Sequence, residues 1–600
     1  MAQRLLARFE VEATLVALLP VHVGNRDSEL TQDAPLACNG RGEPYIPGTS
    51  LAGPIRAWWR DAFGDKADLE FGRIEARDKG RDPASLGYAS LISVADAPAH
   101  LPAGLTTELR DGVGIDRQSG AAATSIKYDR QVLPAGTTFA LKLRFDVVEG
   151  LATADIARQR LAALVAALQA GDIAFGAAKT RGLGRMQAKG VKVFERQLAT
   201  RAGMLARLRG NSNAATIPDA QLTEWAAAAG ANARDGRVDI VVSWQATRPV
   251  FNKSGSIGLV IDGLPLLGGG FDANTPTALT PVLTGASIKG ALRAHAERIW
   301  RTMAGWKCDL ESARSSFLAS IEMDLVSELF GSVGKSGKTP KAGDCDDRPD
   351  DAEARAAHGL GALAVEDCVV GPAVAPGEWK RIVEARAADV DQAVIAAQAQ
   401  VDAATSWKDS NARDGLKRGS ARIANHVAID RWTGGAADAL LFNQLEPPAP
   451  HRRQFRLRLD LARLGDACGI GLAEAERQKA AKCKPFDQAK VDAAELARDR
   501  AIQKRNAAVA LLMFALRDLA LGHIAFGFGS TRGFGSIKVD SIAFENPGAT
   551  AEEYGFTADK ALPVERLDDR TAFASFTEAE KGWVGYWTAW RANDTEKAKA

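Results

Sequence analysis

Three short motifs occur twice in this chain, in the same order. IPGTSLAGPIR at 46–56 returns as LTGASIKGALR at 283–293. GIDRQSGAA at 114–122 returns as AIDRWTGGAA at 428–437. IAFGAAKTRGLGRMQ at 173–187 returns as IAFGFGSTRGFGSIK at 524–538. Ordered recurrence means tandem duplication of one fold. The 600 residues therefore divide into two large units, not the roughly four domains that length alone implies. The repeated segments are loops rich in Gly, Ser, Lys and Arg, residue types that suit a phosphate backbone better than a core.

Each unit reads as strand, helix, hairpin, helix, Gly-rich loop and strand, an α+β order with an antiparallel sheet. In the first copy the pattern predicts a strand over 9–19 and a helix over 49–63 capped by Thr49 or Ser50. A projecting hairpin over 112–133, a helix over 155–170, a loop over 171–184 and a strand over 186–194 follow. Residues 201–236 are rich in Ala and polar residues and read as a connection, and a strand at 238–243 restarts the pattern. The first domain thus covers 1–200, the second 237–547, and 548–600 is a tail. The distance between the first two motifs doubles in copy two. That places an insertion around 335–420, with a charged loop at 335–357 and a helical stretch at 378–406. A second long helix is expected over 494–521. Trp583, Trp587 and Trp590 predict that the tail docks, and 593–600 should fray.

The net charge is only +2, so any nucleic-acid binding must rest on local basic loops and not on a global field. No pair of the six cysteines has CxxC spacing, which argues against a structural zinc site. No apolar run approaches the ~20 residues of a membrane span, and the N-terminus does not read as a signal peptide. A reducing cytoplasm is the expected compartment.

The Gly-rich loops share F-G-x-x-x-T-R-G-x-G. Glycines let main-chain amides approach a ligand, and Lys179, Arg181 and Arg532 add charge for an anion. Neither loop is a Walker motif, and neither is a dinucleotide fingerprint, because a helix precedes and a strand follows. The competing reading is a tight helix-to-strand turn with an exposed Arg. In the 46–56 and 283–293 motifs, small residues precede a helix whose first amides can hold phosphate. Ser50, Arg56, Ser287, Lys289 and Arg293 are the candidates there; an ordinary capped helix is the alternative. Asp116, Arg117, Asp430 and Arg431 lie on the hairpin motif, with Trp432 adjacent.

Together these motifs resemble the RAMP superfamily of CRISPR-associated proteins, in particular backbone subunits of type III effector complexes. LFGS at 329–332, ALAVED at 362–367 and NHVAIDRWTGGAADALLF at 425–442 extend the likeness. Two such units on one chain look most like type III-D systems. The resemblance implies two tandem RRM-like (ferredoxin-like) domains with projecting thumb hairpins. It also implies binding of guide RNA (crRNA), pairing with complementary target RNA, and assembly with other CRISPR effector subunits.

In the family, an Asp after the first strand cuts the target. Here that implies Asp33 and Asp262, with Asp27 and Asp272 as alternates. They would act as bases on a 2′-OH or hold a divalent cation, Mg2+. The hairpin wedges between guide and target, so Arg117 and Arg431 would bind phosphate and Trp432 would stack on a base. Copy one departs from the pattern at Ala52, where a Lys is usual, and at Pro54; Thr284 replaces a Pro in copy two. His22, matched with Asn252 in copy two, and His426 read as hydrogen-bonded structural histidines. Two other functions stay open: a scaffold that holds guide RNA without cutting, and a guide-processing endoribonuclease.

Overall fold

The computed structural model describes residues 4–554 apart from 25–32, 75–86, 118, 150–152, 210–214, 232–235, 256, 272–276, 305–320, 322, 333–358, 386–421, 448–451, 483–486 and 553. Beyond 554 it describes only 556, 562–563, 585, 587–588 and 590. The charged loop at 335–357, most of the helical stretch at 378–406, Asp27, Asp272 and Trp583 therefore lie outside the described residues.

Two antiparallel sheets carry the two copies. In the first, the strand Leu5–Ala17 lies between Met186–Gln197 and Thr138–Val148. Its side chains alternate, with Ala7, Phe9, Val11, Leu15 and Ala17 buried, the period-2 pattern of a strand with one covered face. In the second, Arg237–Ala246 lies between Arg453–Asp460 and Ile537–Glu545. The middle strand of each sheet is thus the first strand of its copy. Each is flanked by the strand after the hairpin and the strand after the Gly-rich loop.

Helices cover one face of each sheet. Ala154–Ala170 starts where the Thr153 hydroxyl accepts from the Ile156 amide and ends at Gly171 with φ of 71°, a left-handed stop that suits glycine. Its counterpart Gln488–Ala520 is capped by the Asp487 carboxylate. The helix Gly48–Phe63 buries Leu51, Ile55, Trp58 and Trp59. The Trp59 indole donates to Glu70 at 3.0 Å, and Arg160 donates to the same carboxylate at 2.7 Å.

Two sequence readings change here. The described parts of 201–236 pack on copy one: Ala215–Thr216 pairs with the strand Met186–Gln197, and Asp219–Ala228 packs on Ala154–Ala170 through buried Leu222. The helix starts are not capped by Thr49, Ser50 or Ser287. The Gly48 amide donates to the Asp96 carboxylate at 2.7 Å and the Gly285 amide to Asp367 at 2.8 Å. In copy two the Thr284 hydroxyl accepts from Ser287. The aspartates reach the helix because Gly48 and Gly285 sit tight on the neighbouring strand; a Cβ at either would lie 2.2 Å from the carbonyl of Val94 or Val365. Part of each helix dipole is therefore answered by a carboxylate of the protein. Of the tail, Trp587 and Trp590 are buried in the second core, with Trp590 beside Trp300.

Candidate nucleic-acid interface

Hairpins Glu108–Ile115 with Ala122–Val132, and Arg422–Ile429 with Ala436–Glu446, have the same ladder and the same irregularity, at Val113/Ile115 and Val427/Ile429. Their tips are built alike. The Asp116 amide donates to Ala121 and the Asp430 amide to Gly435, both at 2.8 Å. The Asp116 carboxylate accepts from the Ser119 amide and hydroxyl, and Asp430 from the Trp432 amide and Thr433 hydroxyl. Those donors hold the Asp430 carboxyl below its ordinary range. Both aspartates shape turns.

The Asp33 and Asp262 loops meet the second strand of their hairpins in the same way. The Asp33 amide donates to Asp129 at 2.8 Å, and the Asp129 amide donates back to Asp33 at 3.0 Å. In copy two the partner is Asn443, at 3.0 Å and 2.9 Å. Gln131 donates from its amide to the Ala34 carbonyl, as Leu445 does to Gly263. Asp33 and Asp262 are therefore structural equivalents, and both are exposed. From Asp33 to Ala37 and from Asp262 to Leu266 the loops have the same length, since Ala37 donates to the Val23 carbonyl as Leu266 does to that of Asn252, while the proline moves from Pro35 to Pro265. His22 sits beneath the first loop, its Nδ1 donating to the Gln131 carbonyl at 2.7 Å, and burial lowers its pKa. Its counterpart is Phe251 and not Asn252, because the His22 carbonyl accepts from Ala177 as the Phe251 carbonyl accepts from Phe528. Asn252 instead accepts from the Thr284 amide. His426 stacks on Phe442.

The Gly-rich loops pack under their own hairpins. Arg181 donates to the Tyr128 hydroxyl at 3.2 Å, and Arg532 lies over the rings of Phe442 and Phe528. Both arginines remain exposed. Lys179 is half-buried, and its pKa is lowered, first by burial and then by Arg463 of copy two.

At the junction between the copies basic side chains gather around Lys289. Lys289 is only 5% exposed, and its Nζ has no hydrogen-bond partner among the described residues. Burial, then the charges of Arg181, Arg293 and Arg463, bring its pKa from 10.5 to about 7. Cations from both copies thus converge on one buried ammonium near a helix N-terminus, where the dipole disfavours a cation further. Leaving such a group unpaired costs several kcal/mol by the usual measure of an unpaired buried ion. An anion beside Lys289 would remove that cost. Sequence reasoning placed Lys289 and Arg181 on separate motifs; Arg463, on a helix outside the repeats, gave no signal.

Other candidate cations have protein partners. Arg56 makes two bonds of 2.6 Å with Asp68. Arg117 donates to Glu297 at 2.8 Å, and Arg293 donates to Glu297 at 3.0 Å and to the Ile321 and Gly331 carbonyls. Arg117 therefore ties the copy-one hairpin to copy two. Ser50 and Ser287 lie in the first turns of their helices. Arg431 and Trp432 project from the second hairpin, Trp432 at 96% exposed.

The architecture is that of two tandem ferredoxin-like α+β domains with projecting hairpins. Compared with known protein families, the chain matches the RAMP superfamily over residues 14–187 and 265–359, one region in each copy. Proteins of that superfamily are generally CRISPR-associated RNA-binding subunits, and some are RNA endonucleases. No curated protein matches the chain. Among the described residues no helix is long and apolar enough to cross a membrane.

Proposed function

We propose that this chain is a double backbone subunit of a type III CRISPR effector complex, possessing two guide-RNA grips and two target-cutting loops. One observation carries the guide reading: the Lys289 ammonium, without a partner among the described residues and buried between cations of both copies. A guide phosphate neutralises it. Arg181, Lys179 and Arg463 supply the rest of the field, and Arg532 offers the equivalent grip in copy two. Base pairing supplies sequence choice, as in RNA-guided effectors generally.

Asp33 and Asp262 are the cutting candidates. Each carboxylate, exposed beside its hairpin, serves as base toward a target 2′-OH, whose oxygen attacks the adjacent phosphorus while the 5′ oxygen leaves. Magnesium, if bound, stabilises the charge that develops on the phosphate. No cluster of three or more metal-ligating side chains occurs among the described residues. Magnesium commonly takes one or two carboxylates and completes its shell with water and phosphate. Asp33 with Asp129 fits that pattern better than Asp262 with Asn443.

The scaffold reading keeps support from one observation. Both aspartates already have a structural task, accepting main-chain amides of the hairpin. The test is purification of the chain with its RNA, followed by incubation of a labelled complementary strand with and without magnesium. Two products at a fixed separation fit the cutting reading; bound but intact target leaves the scaffold.

A further inference from the structure

The junction between the copies shows what two such units require of each other. Three ion pairs cross it. Arg110, at the base of the first hairpin, is buried against Asp367 and also bonds Glu108, whose carboxylate accepts from the Gly269 amide at 2.8 Å. Arg117, at the tip, pairs with Glu297 at 2.8 Å. Arg185, after the Gly-rich loop, pairs with Glu366 at 2.8 Å.

Duplication leaves one unused half of this junction at each end of the chain. Among the described residues no hairpin lies on the copy-one helix Gly48–Phe63 and its cap Asp96, which form the receiving face, and the copy-two hairpin, the donor, lies on no such helix start. The register gives every counterpart. Ala424 stands in the place of Arg110, Arg431 in that of Arg117 and Ser536 in that of Arg185. On the receiving side Asp96 stands for Asp367, Arg60 for Glu297 and Ala95 for Glu366. A second copy of this chain docked in the same manner would set Ala424 against Asp96, Arg431 against Arg60, and Ser536 against Ala95. All three ion pairs are lost, and one becomes a meeting of like charges. Unpaired and like charges at an interface are an effective bar to a wrong partner.

We infer that this chain does not extend by binding itself, and that its copy-one face receives a different protein. That partner presents a hairpin with a cation at the base, for the exposed Asp96, and a carboxylate at the tip, for Arg60. The inference builds on the reading of the chain as a subunit but does not involve RNA, so each can fail without the other.

The experiment builds the missing complementarity into the exposed hairpin alone, with Ala424→Arg and Arg431→Glu together. Wild type and variant, freed of nucleic acid by a high-salt wash, are compared by sedimentation at rising concentration. Wild type should remain a single chain, while the variant should self-associate about a hundredfold more tightly and form open chains. Adding Asp96→Ala and Arg60→Ala to the variant should return it to a single chain. Wild-type chains that polymerise, a hairpin variant that stays single, or association that survives the loss of Asp96 and Arg60 would each overturn the proposal.

Discussion

The two Asp loops meet their hairpins at the same place but through different side chains. Copy one sets Asp33 against Asp129; copy two sets Asp262 against Asn443, with main-chain bonds of nearly equal length. An amide therefore does the structural work as well as a carboxylate. Whatever Asp129 adds beyond holding the loop is charge, and charge matters to a cation or a proton, not to the hairpin. The same contrast recurs across the molecule. Backbone shape is duplicated closely, while charged side chains have diverged according to what each copy faces.

The largest expected effect follows from substituting the paired aspartates themselves. Asp33→Asn keeps an acceptor for the Asp129 amide, as Asn443 shows an amide can, and removes the base. Cutting at one position should fall by about 10² to 10⁴ with target binding unchanged, and Asp262→Asn should remove the other cut. Product mapping on an end-labelled strand reads both. Loss of both products from either change would mean that the copies do not act separately.

Next is the junction. Arg110→Ala gives copy one the residue that copy two has at Ala424, but here it leaves Asp367 buried without its cation. Removing one partner of such a pair costs about 3–5 kcal/mol, read as a lower denaturant midpoint. Adding Asp367→Asn, which still accepts from the Gly285 amide, should restore part of the loss.

Much of this was legible in the chain itself. The motifs marked the duplication, and the resemblance they carry pointed to Asp33 and Asp262; the register of the loops was read one residue off, since His22 answers to Phe251 and not to Asn252. The caps were not legible, because Asp96 and Asp367 reach the helix starts across the sheet from outside the first motif. Nor was the fate of Arg117. A tip arginine reads as a phosphate ligand until Glu297, 180 positions away, is seen beside it. Long-range ion pairs between copies leave no periodic trace, since a repeat records only what both copies share.

Lys289 and Ala52 make the third contrast. The ammonium's pKa of about 7 in the folded chain lies below its usual 10.5, so the unfolded chain holds the extra proton between those values. Stability of the RNA-free protein should therefore rise with pH across that window. Lys289→Met should stabilise the free protein by up to about 5 kcal/mol below pH 7, with the gain fading as pH approaches 10. The same change should weaken RNA binding about tenfold and reduce the salt slope by about 0.7. Binding by wild type should take up a proton, so affinity is greatest below pH 7 and declines above it. Calorimetry in buffers of different ionisation enthalpy measures that proton. A loss of stability on Lys289→Met would mark the lysine as a structural ion and not a ligand.

The smallest effect is the most discriminating. Asp129→Asn makes the first loop chemically like the second, and Asn443→Asp makes the second like the first. Fold and target binding should not move, because each substitution preserves an oxygen acceptor for the amide of Asp33 or Asp262. If Asp129 only braces the loop, cutting should not move either. If its charge helps to hold magnesium, Asp129→Asn should raise the magnesium concentration for half-maximal cutting at the first position by several-fold, and Asn443→Asp should lower it at the second. The maximal rate at saturating metal should change little, since Asp33 and Asp262 remain. Titrating magnesium against each product separately reads the two copies in one tube. A shift at the first position alone would mean that Asn443 lacks only the charge and the second loop lacks something more. Equal and opposite shifts would reduce the difference between the loops to one carboxylate.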